Sequence, residues 1–498
     1  MERKVVVAGW GQITQPKNLE KPAKDPMGLM TDASIKASKI TGSKKVLSNL
    51  DGIMVVRIVS RNYKSPAKQL AQNLKATPKF THVSGIGGNS PQMLINMAAG
   101  MIARNELDSV LIAGAETYVQ RDKNSKRVES ALFRGIPKDY QGDDLKGSTL
   151  LENAHGIEHP MQGFPLFETA LWAQSNLDFQ TYMMKIGKMW SKFSQIAVTN
   201  PYAWSKNIKT PEEIITLSKT NRPVAFPYTK YMNSFVTVDQ GAAVLLMSEE
   251  KAKKYSHEDR QSVYFLGGGY AEDRQRFMIE KTDFTSSLPL KTAVQKALTR
   301  SSISLKDLDC FDLYSCFPSA VSIAKKMIGI SDSDPRPLTL TGGLGFFGGP
   351  GNNYSLHSVA CLAQKISTGE KSNGLITALG WFMHKHAAGI YSSKPLTGKF
   401  KNHDVTDQKN SLVGEEPVKI KEQYNGQGYI ETYTIIYAHN HKPSMAVLYG
   451  KTPDNFRFIA VTRNNPEIVK QLTQNNMVGQ KVNITFHASK SMNIAELI

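Results

Sequence analysis

Ser84-Gly85-Ile86-Gly87-Gly88-Asn89-Ser90-Pro91 closes an extended run at 79–84 and opens an apolar segment with helical spacing to about residue 104. Ser90 suits an N-cap, with Pro91 at the first helical position. The glycines let the backbone pass close to a ligand, and a helix N-terminus favours an anion or a developing oxyanion. Residues 108–113 then form a strand of Val, Leu and Ile. A strand, a glycine turn, a buried helix and another apolar strand predict an α/β fold.

Outward from this turn, strands and helices alternate. Residues 4–8 and 51–58 read as strands, and 26–39 and 66–74 as helices. The strands are apolar on both faces, which predicts a mostly parallel sheet covered by helices. From about 118 to 233 the pattern loosens into an inserted loop lobe, with amphipathic helices around 167–192. The sheet returns at 241–248. A second series follows: strand 263–267, helix 288–299, strand 307–314, helices 318–328 and 353–365, and strands 374–382 and 388–393. Its element order echoes the first, which implies duplication. The expected domains are 1–250, which includes the lobe, then 251–401, and 417–498. A polar linker is expected at 404–416. The last domain reads as β-rich, with strands at 429–438, 444–450, 456–463 and 480–486 and a helix at 466–474.

Bulk properties narrow the function classes. The 498 residues suffice for two or three domains. No apolar run reaches the about 18 residues of a membrane span, and the N-terminus lacks a cleavage pattern. Three cysteines, Cys310, Cys316 and Cys361, argue for a reducing, cytoplasmic setting and against a disulfide framework or a zinc site. The net charge of +18 fits an anionic partner. No arginine stripe or RNA-binding aromatic pattern accompanies it, so nucleic acid is not expected.

Four segments in this order and spacing resemble the thiolase superfamily, in the branch near the sterol-carrier-protein-2-type thiolases. They are 85–90 with Leu111-Ile112-Ala113-Gly114-Ala115-Glu116, 226–233 with Val238-Asp239-Gln240-Gly241-Ala242-Ala243, Asp312-Leu313-Tyr314-Ser315-Cys316-Phe317, and Gly342-Gly343 with Phe347-Gly348-Gly349-Pro350. The resemblance covers about residues 4–391. It implies the thiolase fold: two duplicated βαβαβαββ halves stacked as a five-layer αβαβα arrangement, here with a small OB-like C-terminal domain. It also implies an acyl-CoA small molecule as substrate, with no tightly bound cofactor and no metal. The assembly it implies is a homodimer, unless the tail occupies that contact.

In that family a cysteine at the helix N-terminus accepts the acyl group, a second acid/base moves a proton at the α-carbon, and a Gly-His-Pro histidine binds the thioester oxygen. Here Gly88 stands at the nucleophile position, Gly349 at the histidine position and Gly380 where many relatives carry a second cysteine. Cys316 aligns with the acid/base cysteine of a His-Asp-Cys-Phe motif, and Tyr314 replaces that motif's histidine. His357, His384 and His386 fall in loops where one of them could replace the lost histidine. The candidate catalytic residues are therefore Cys316, Tyr314, His357 and His386. The candidate acyl-oxygen or phosphate cradle is Gly87, Gly88, Gly348, Gly349 and Gly380. Ser90 is read as the helix cap, not as a nucleophile.

The activity implied by resemblance is that of an acetyl-CoA acetyltransferase in lipid metabolism. Without an acyl-accepting cysteine, ping-pong transfer is not expected. A retro-aldol lyase on a β-hydroxyacyl-CoA and a non-catalytic acyl-CoA-binding protein remain as alternatives.

Overall fold

Val5–Thr14 organises the main sheet. Its Val5-Val6-Val7 start is buried, as suits β-branched residues on a pleated surface. It pairs antiparallel with Asp239–Ser248 along its length and touches Tyr264–Asp273 through Val5 and Val6. The computed structural model describes residues 3–17, 22–119, 147–255, 260–398, 411–438, 440–462 and 465–498. The first part of the expected loop lobe (120–146), the expected linker up to 410 and Arg463 lie outside the described residues.

The ten-stranded sheet runs Phe80–Val83, Gly52–Val55, Ser109–Thr117, Asp239–Ser248, Val5–Thr14, Tyr264–Asp273, Lys385–Ser392, Asn373–Gly380 and Cys310–Asp312, with Leu412–Val413 beside Tyr264–Asp273. Read from Gly52–Val55 inward and from Cys310–Asp312 inward, the two halves follow the same order. That repeat is the duplication the resemblance implies. The halves meet where Val5–Thr14 pairs with Tyr264–Asp273.

The sheet is not mostly parallel, as the sequence pattern had suggested. Its central pairs are antiparallel, and parallel pairing is confined to outer strands and the Leu412–Val413 addition. Apolar residues on both faces report cover on both faces, not strand direction. Asn373–Gly380 and Lys385–Ser392 are joined by a tight turn with Trp381 and Met383 at positive φ, which forces antiparallel pairing.

Two buried helices lie between the halves. Asn96 of Ser90–Ala103 donates to the Gly269 and Ala388 carbonyls of the C-terminal half, at 3.2 and 3.3 Å. His357 of Tyr354–Ser367 bonds Gln12 of the first strand at 2.9 Å. Each central helix thus reaches into the opposite half.

The C-terminal strands close on one another. Gly426–Tyr437, Pro443–Lys451, Arg457–Thr462, Met492–Leu497 and Lys481–His487 form a small barrel, because Pro443–Lys451 also pairs with Gly426–Tyr437. Two lobe strands, Pro223–Ala225 and Tyr228–Thr229, extend this sheet to seven strands. Phe226 N donates to Ile435 O (2.9 Å), Thr169 Oγ1 to Tyr433 O (2.8 Å) and the Tyr449 hydroxyl to Glu152 (3.1 Å). Arg457, fully buried, bonds Glu431 at 3.1 Å and the Ile279 carbonyl at 3.3 Å. The barrel is therefore packed into the core. Among the described residues no helix is long and apolar enough to cross a membrane.

Candidate functional site

The glycine turn stands where the sequence placed it, between Phe80–Val83 and the helix Ser90–Ala103. Ser90 is the first helical residue and not the cap, which corrects the sequence reading. Asn89 takes the cap position with helical backbone angles and makes no side-chain cap bond. The Ser90 hydroxyl instead donates back to the Gly85 carbonyl at 2.9 Å. Gly87 has φ +147°, a conformation that excludes side chains. Its N–H donates to Asn352 Oδ1 at 3.0 Å, and Asn352 Nδ2 donates to the Arg57 carbonyl at 2.8 Å. The Ser355 hydroxyl reaches the Gly88 carbonyl at 3.3 Å. The C-terminal half thus holds the turn of the N-terminal half.

The three glycines that the resemblance sets at side-chain positions differ. A β-carbon at Gly88 would lie 2.0 Å from the Tyr314 hydroxyl oxygen and 2.6 Å from the Leu379 carbonyl oxygen. The phenol of Tyr314 therefore fills the volume an acyl-accepting sulfur would need. A β-carbon at Gly380 would meet Asn89 Oδ1 at 2.3 Å, so a second side chain has been back-filled as well. At Gly349 the nearest atoms would be 3.5 Å away, so a β-carbon fits there in ordinary van der Waals contact. Gly348, at φ +120°, faces Gln240 Oε1 and has no room for a side chain.

Tyr314 is 8% exposed, and its ring meets Tyr354 edge-on at 5.6 Å. Its hydroxyl has no hydrogen-bond partner among the described residues. Burial holds its pKa well above the ordinary phenol value, so it stays neutral and can donate. Cys316 lies two residues on, and burial likewise keeps its thiol protonated. Its carbonyl accepts from the Ser234 hydroxyl at 2.9 Å. The candidate histidines do not join this pair. His357 bonds Gln12 and packs on Phe347, with ring centroids 5.0 Å apart. His386 Nε2 lies 3.2 Å from both the Ser287 hydroxyl and the Met383 carbonyl. Burial pushes both imidazoles down to about 3, so they are neutral. His384 is buried two residues from His386, and neither ring nitrogen has a hydrogen-bond partner among the described residues. Among the described residues no group of three or more His, Cys, Asp or Glu could hold a metal ion.

Behind Phe317, which stacks on Phe164 at 4.5 Å, lies a buried carboxyl. Glu168 accepts from the hydroxyls of Tyr182 and Tyr228, the latter at 2.6 Å. Tyr228 also lies 2.8 Å from the Ser319 hydroxyl, in the first turn of Pro318–Ile328. Burial raises Glu168 to about 7 against the pull of these donors.

This architecture matches a known protein over its whole length. The chain is 30% identical to a monomeric SCP2-thiolase-like protein type 1 from Mycobacterium smegmatis, covering all of both chains with a TM-score of 0.82. The chain belongs to the SCP2-thiolase-like type 1 family. Residues 409–487 match the model of the thiolase-like protein type 1 additional C-terminal domain. An Ltp2–ChsH2(DUF35) aldolase shares the fold at 16% identity, over 78% of this chain and 98% of that one, with a TM-score of 0.61. An acetyl-CoA acetyltransferase from Syntrophomonas wolfei shares it at 15% identity, over 79% and 100%, with a TM-score of 0.56. No curated protein matches the chain.

Within this type 1 thiolase-like fold, sequence reasoning placed Tyr314, Cys316 and the glycines in one neighbourhood but missed three residues that shape it. Asn89 fills the space beside Gly380, and Asn352 and Ser355 anchor the glycine turn. The run Gly351-Asn352-Asn353 offered a signal, since asparagine side chains commonly bond nearby backbone in turns.

Proposed function

We propose that this type 1 thiolase-like protein binds coenzyme A thioesters and does not take the acyl group onto itself. The observation that carries the reading is the Tyr314 hydroxyl at the Gly88 position. Acyl transfer through an enzyme thioester needs a nucleophile at the helix N-terminus, and glycine supplies none. The phenol that occupies the space is neutral and has no hydrogen-bond partner among the described residues. It suits donation to a thioester carbonyl oxygen, assisted by the positive end of the Ser90–Ala103 dipole. Binding of that kind polarises the carbonyl but forms no covalent bond. The protonated Cys316 thiol and the neutral, separately engaged His357 and His386 support a site without a poised base.

Intact-mass measurement after incubation with acetyl-CoA tests this. The expected result is an unmodified chain, with saturable calorimetric binding of acetyl-CoA that weakens in Tyr314→Phe. A label retained on residues 85–90, or on Cys316, would restore the acyltransferase reading. Release of acetyl-CoA or propionyl-CoA from a β-hydroxyacyl-CoA would replace binding with the lyase reading.

A further inference from the structure

A concavity lies outside the lining of the glycine turn. It runs between the helix Phe179–Thr199 and the segment from Pro318–Ile328 to Thr339, with a volume of about 1220 Å³. Neither Gly88, Tyr314 nor Cys316 lines it. Small-ligand pockets usually enclose about 300–1,000 Å³, so this one is a trough. Along its floor are Leu171, Met189, Phe193, Ile196, Ile330 and Leu338. Leu171, Met189, Ile196 and Leu338 are only half-buried, so an apolar strip meets solvent. From Met189 to Ile196 the helical rise gives it about 10 Å along this helix.

The rim is cationic. Lys185, Lys188, Lys192, Lys325, Lys326 and Arg336 line the trough against two acids, Asp332 and Asp334. Asp332 is shared by Lys185 (2.7 Å) and Lys325 (2.6 Å), and Asp334 accepts from Arg336 Nε at 2.9 Å. Lys326 is taken up by Gln174 at 2.8 Å and by Thr285. Lys188 and Lys192, one helical turn apart, have no acidic partner among the described residues. Like charges at this spacing repel each other, and an anion between them relieves that repulsion.

We propose that this trough binds a straight-chain fatty carboxylate, with the head between Lys188 and Lys192 and the chain along the Met189–Phe193–Ile196 strip. A single-headed amphiphile uses the two uncompensated charges and covers the half-buried apolar side chains. An acidic partner helix fits less well, because it would lie against Asp332 and Asp334 on the opposite rim. The inference stands apart from the thioester reading, because it uses none of the same residues.

Fluorescence titration of the full chain with cis-parinarate, followed by displacement with palmitate, tests it. Saturable binding is expected, and Lys188→Glu/Lys192→Glu should weaken it about 10-fold or more, since one lost charge contact in a partly screened site is worth that factor. The milder Lys188→Gln/Lys192→Gln pair should give an intermediate loss, and Lys219→Glu, exposed elsewhere, none. Absent saturation, equal affinity for the matching fatty alcohol, displacement by palmitoyl-CoA but not palmitate, or affinity unchanged in both lysine pairs would each overturn the proposal.

Discussion

Replacing Gly88 by alanine probes the central feature of the site directly. The new methyl would sit 2.0 Å from the Tyr314 oxygen on one side and 2.6 Å from the Leu379 carbonyl on the other. Tyr314 cannot retreat, since its ring is buried against Tyr354. Forcing an extra methyl into a closed core costs about 1–3 kcal/mol, and two-sided confinement puts this substitution near about 3. Tyr314→Ala alone, which empties a buried aromatic site, costs about 3–5 kcal/mol. In the double variant the methyl gains room on the phenol side and still meets the Leu379 carbonyl. The combined loss should fall short of the sum by about 1–2 kcal/mol, the size expected of residues in direct contact. Gly349→Ala is the internal control: its nearest neighbours are 3.5 Å away, and its cost should stay within about 0.5 kcal/mol. Urea unfolding midpoints at constant m provide the measurement. Additivity within about 0.5 kcal/mol, or a Gly88→Ala cost no larger than that of Gly349→Ala, would refute the idea that Tyr314 occupies the nucleophile's space.

Further expectations concern groups around this site. Burial raises the folded-state pKa of Glu168 to about 7, above the roughly 4.3 of an unfolded glutamate. Its contribution is complete below that lower value and disappears as pH rises through 7. Relative to Glu168→Gln, the unmodified chain should therefore lose roughly 3 kcal/mol between pH 4 and 8, measured as the pH dependence of the difference in unfolding midpoint. A difference independent of pH would exclude the buried-carboxyl account. All three cysteines are buried with raised pKa, Cys361 to about 11. The native chain at pH 8 should then resist a thiol-specific disulfide reagent, with full reaction in guanidinium, and rapid native labelling of Cys316 would contradict that. Arg457→Met should destabilise the chain by about 1–3 kcal/mol, because it leaves the Ile279 carbonyl without that donor and the partly buried Glu431 with Lys451 alone, at 3.0 Å. A calorimetric loss below about 1 kcal/mol would show that the pair is dispensable.

Much of the fold was legible because its signals are local. Pro66–Leu74, Pro318–Ile328 and Pro466–Gln474 all begin at prolines, and the structure ends them where the periodicity does. Strand direction was not legible, since double-sided apolarity marks cover and says nothing of polarity. The neighbourhood of the site could be read from the order of its motifs, but its interior could not. Gly88 and Gly380 looked like vacated positions. That Tyr314 and Asn89 fill them depends on contacts across 226 residues and across the sheet, which no spacing rule encodes. His357 and His386 fall in the expected segments, yet their partners, Gln12 and Ser287, come from elements 345 and 99 residues away. The last strand, Met492–Leu497, was also missed, because it does not alternate: Asn493, Ile494 and Ala495 are buried in succession.

The strands at 223–229 have a consequence for how this fold could be trimmed or inherited. They belong by sequence to the lobe and by hydrogen bonding to the barrel. Cutting the chain before Gly426 would leave a bare strand edge there, and would take the acceptors from Phe226 and Thr169 and the donor from Glu152. Such a truncation would not recover an ordinary two-half ancestor. The barrel is thus no longer a detachable passenger, and a lineage that dropped it would first have to rebuild the lobe.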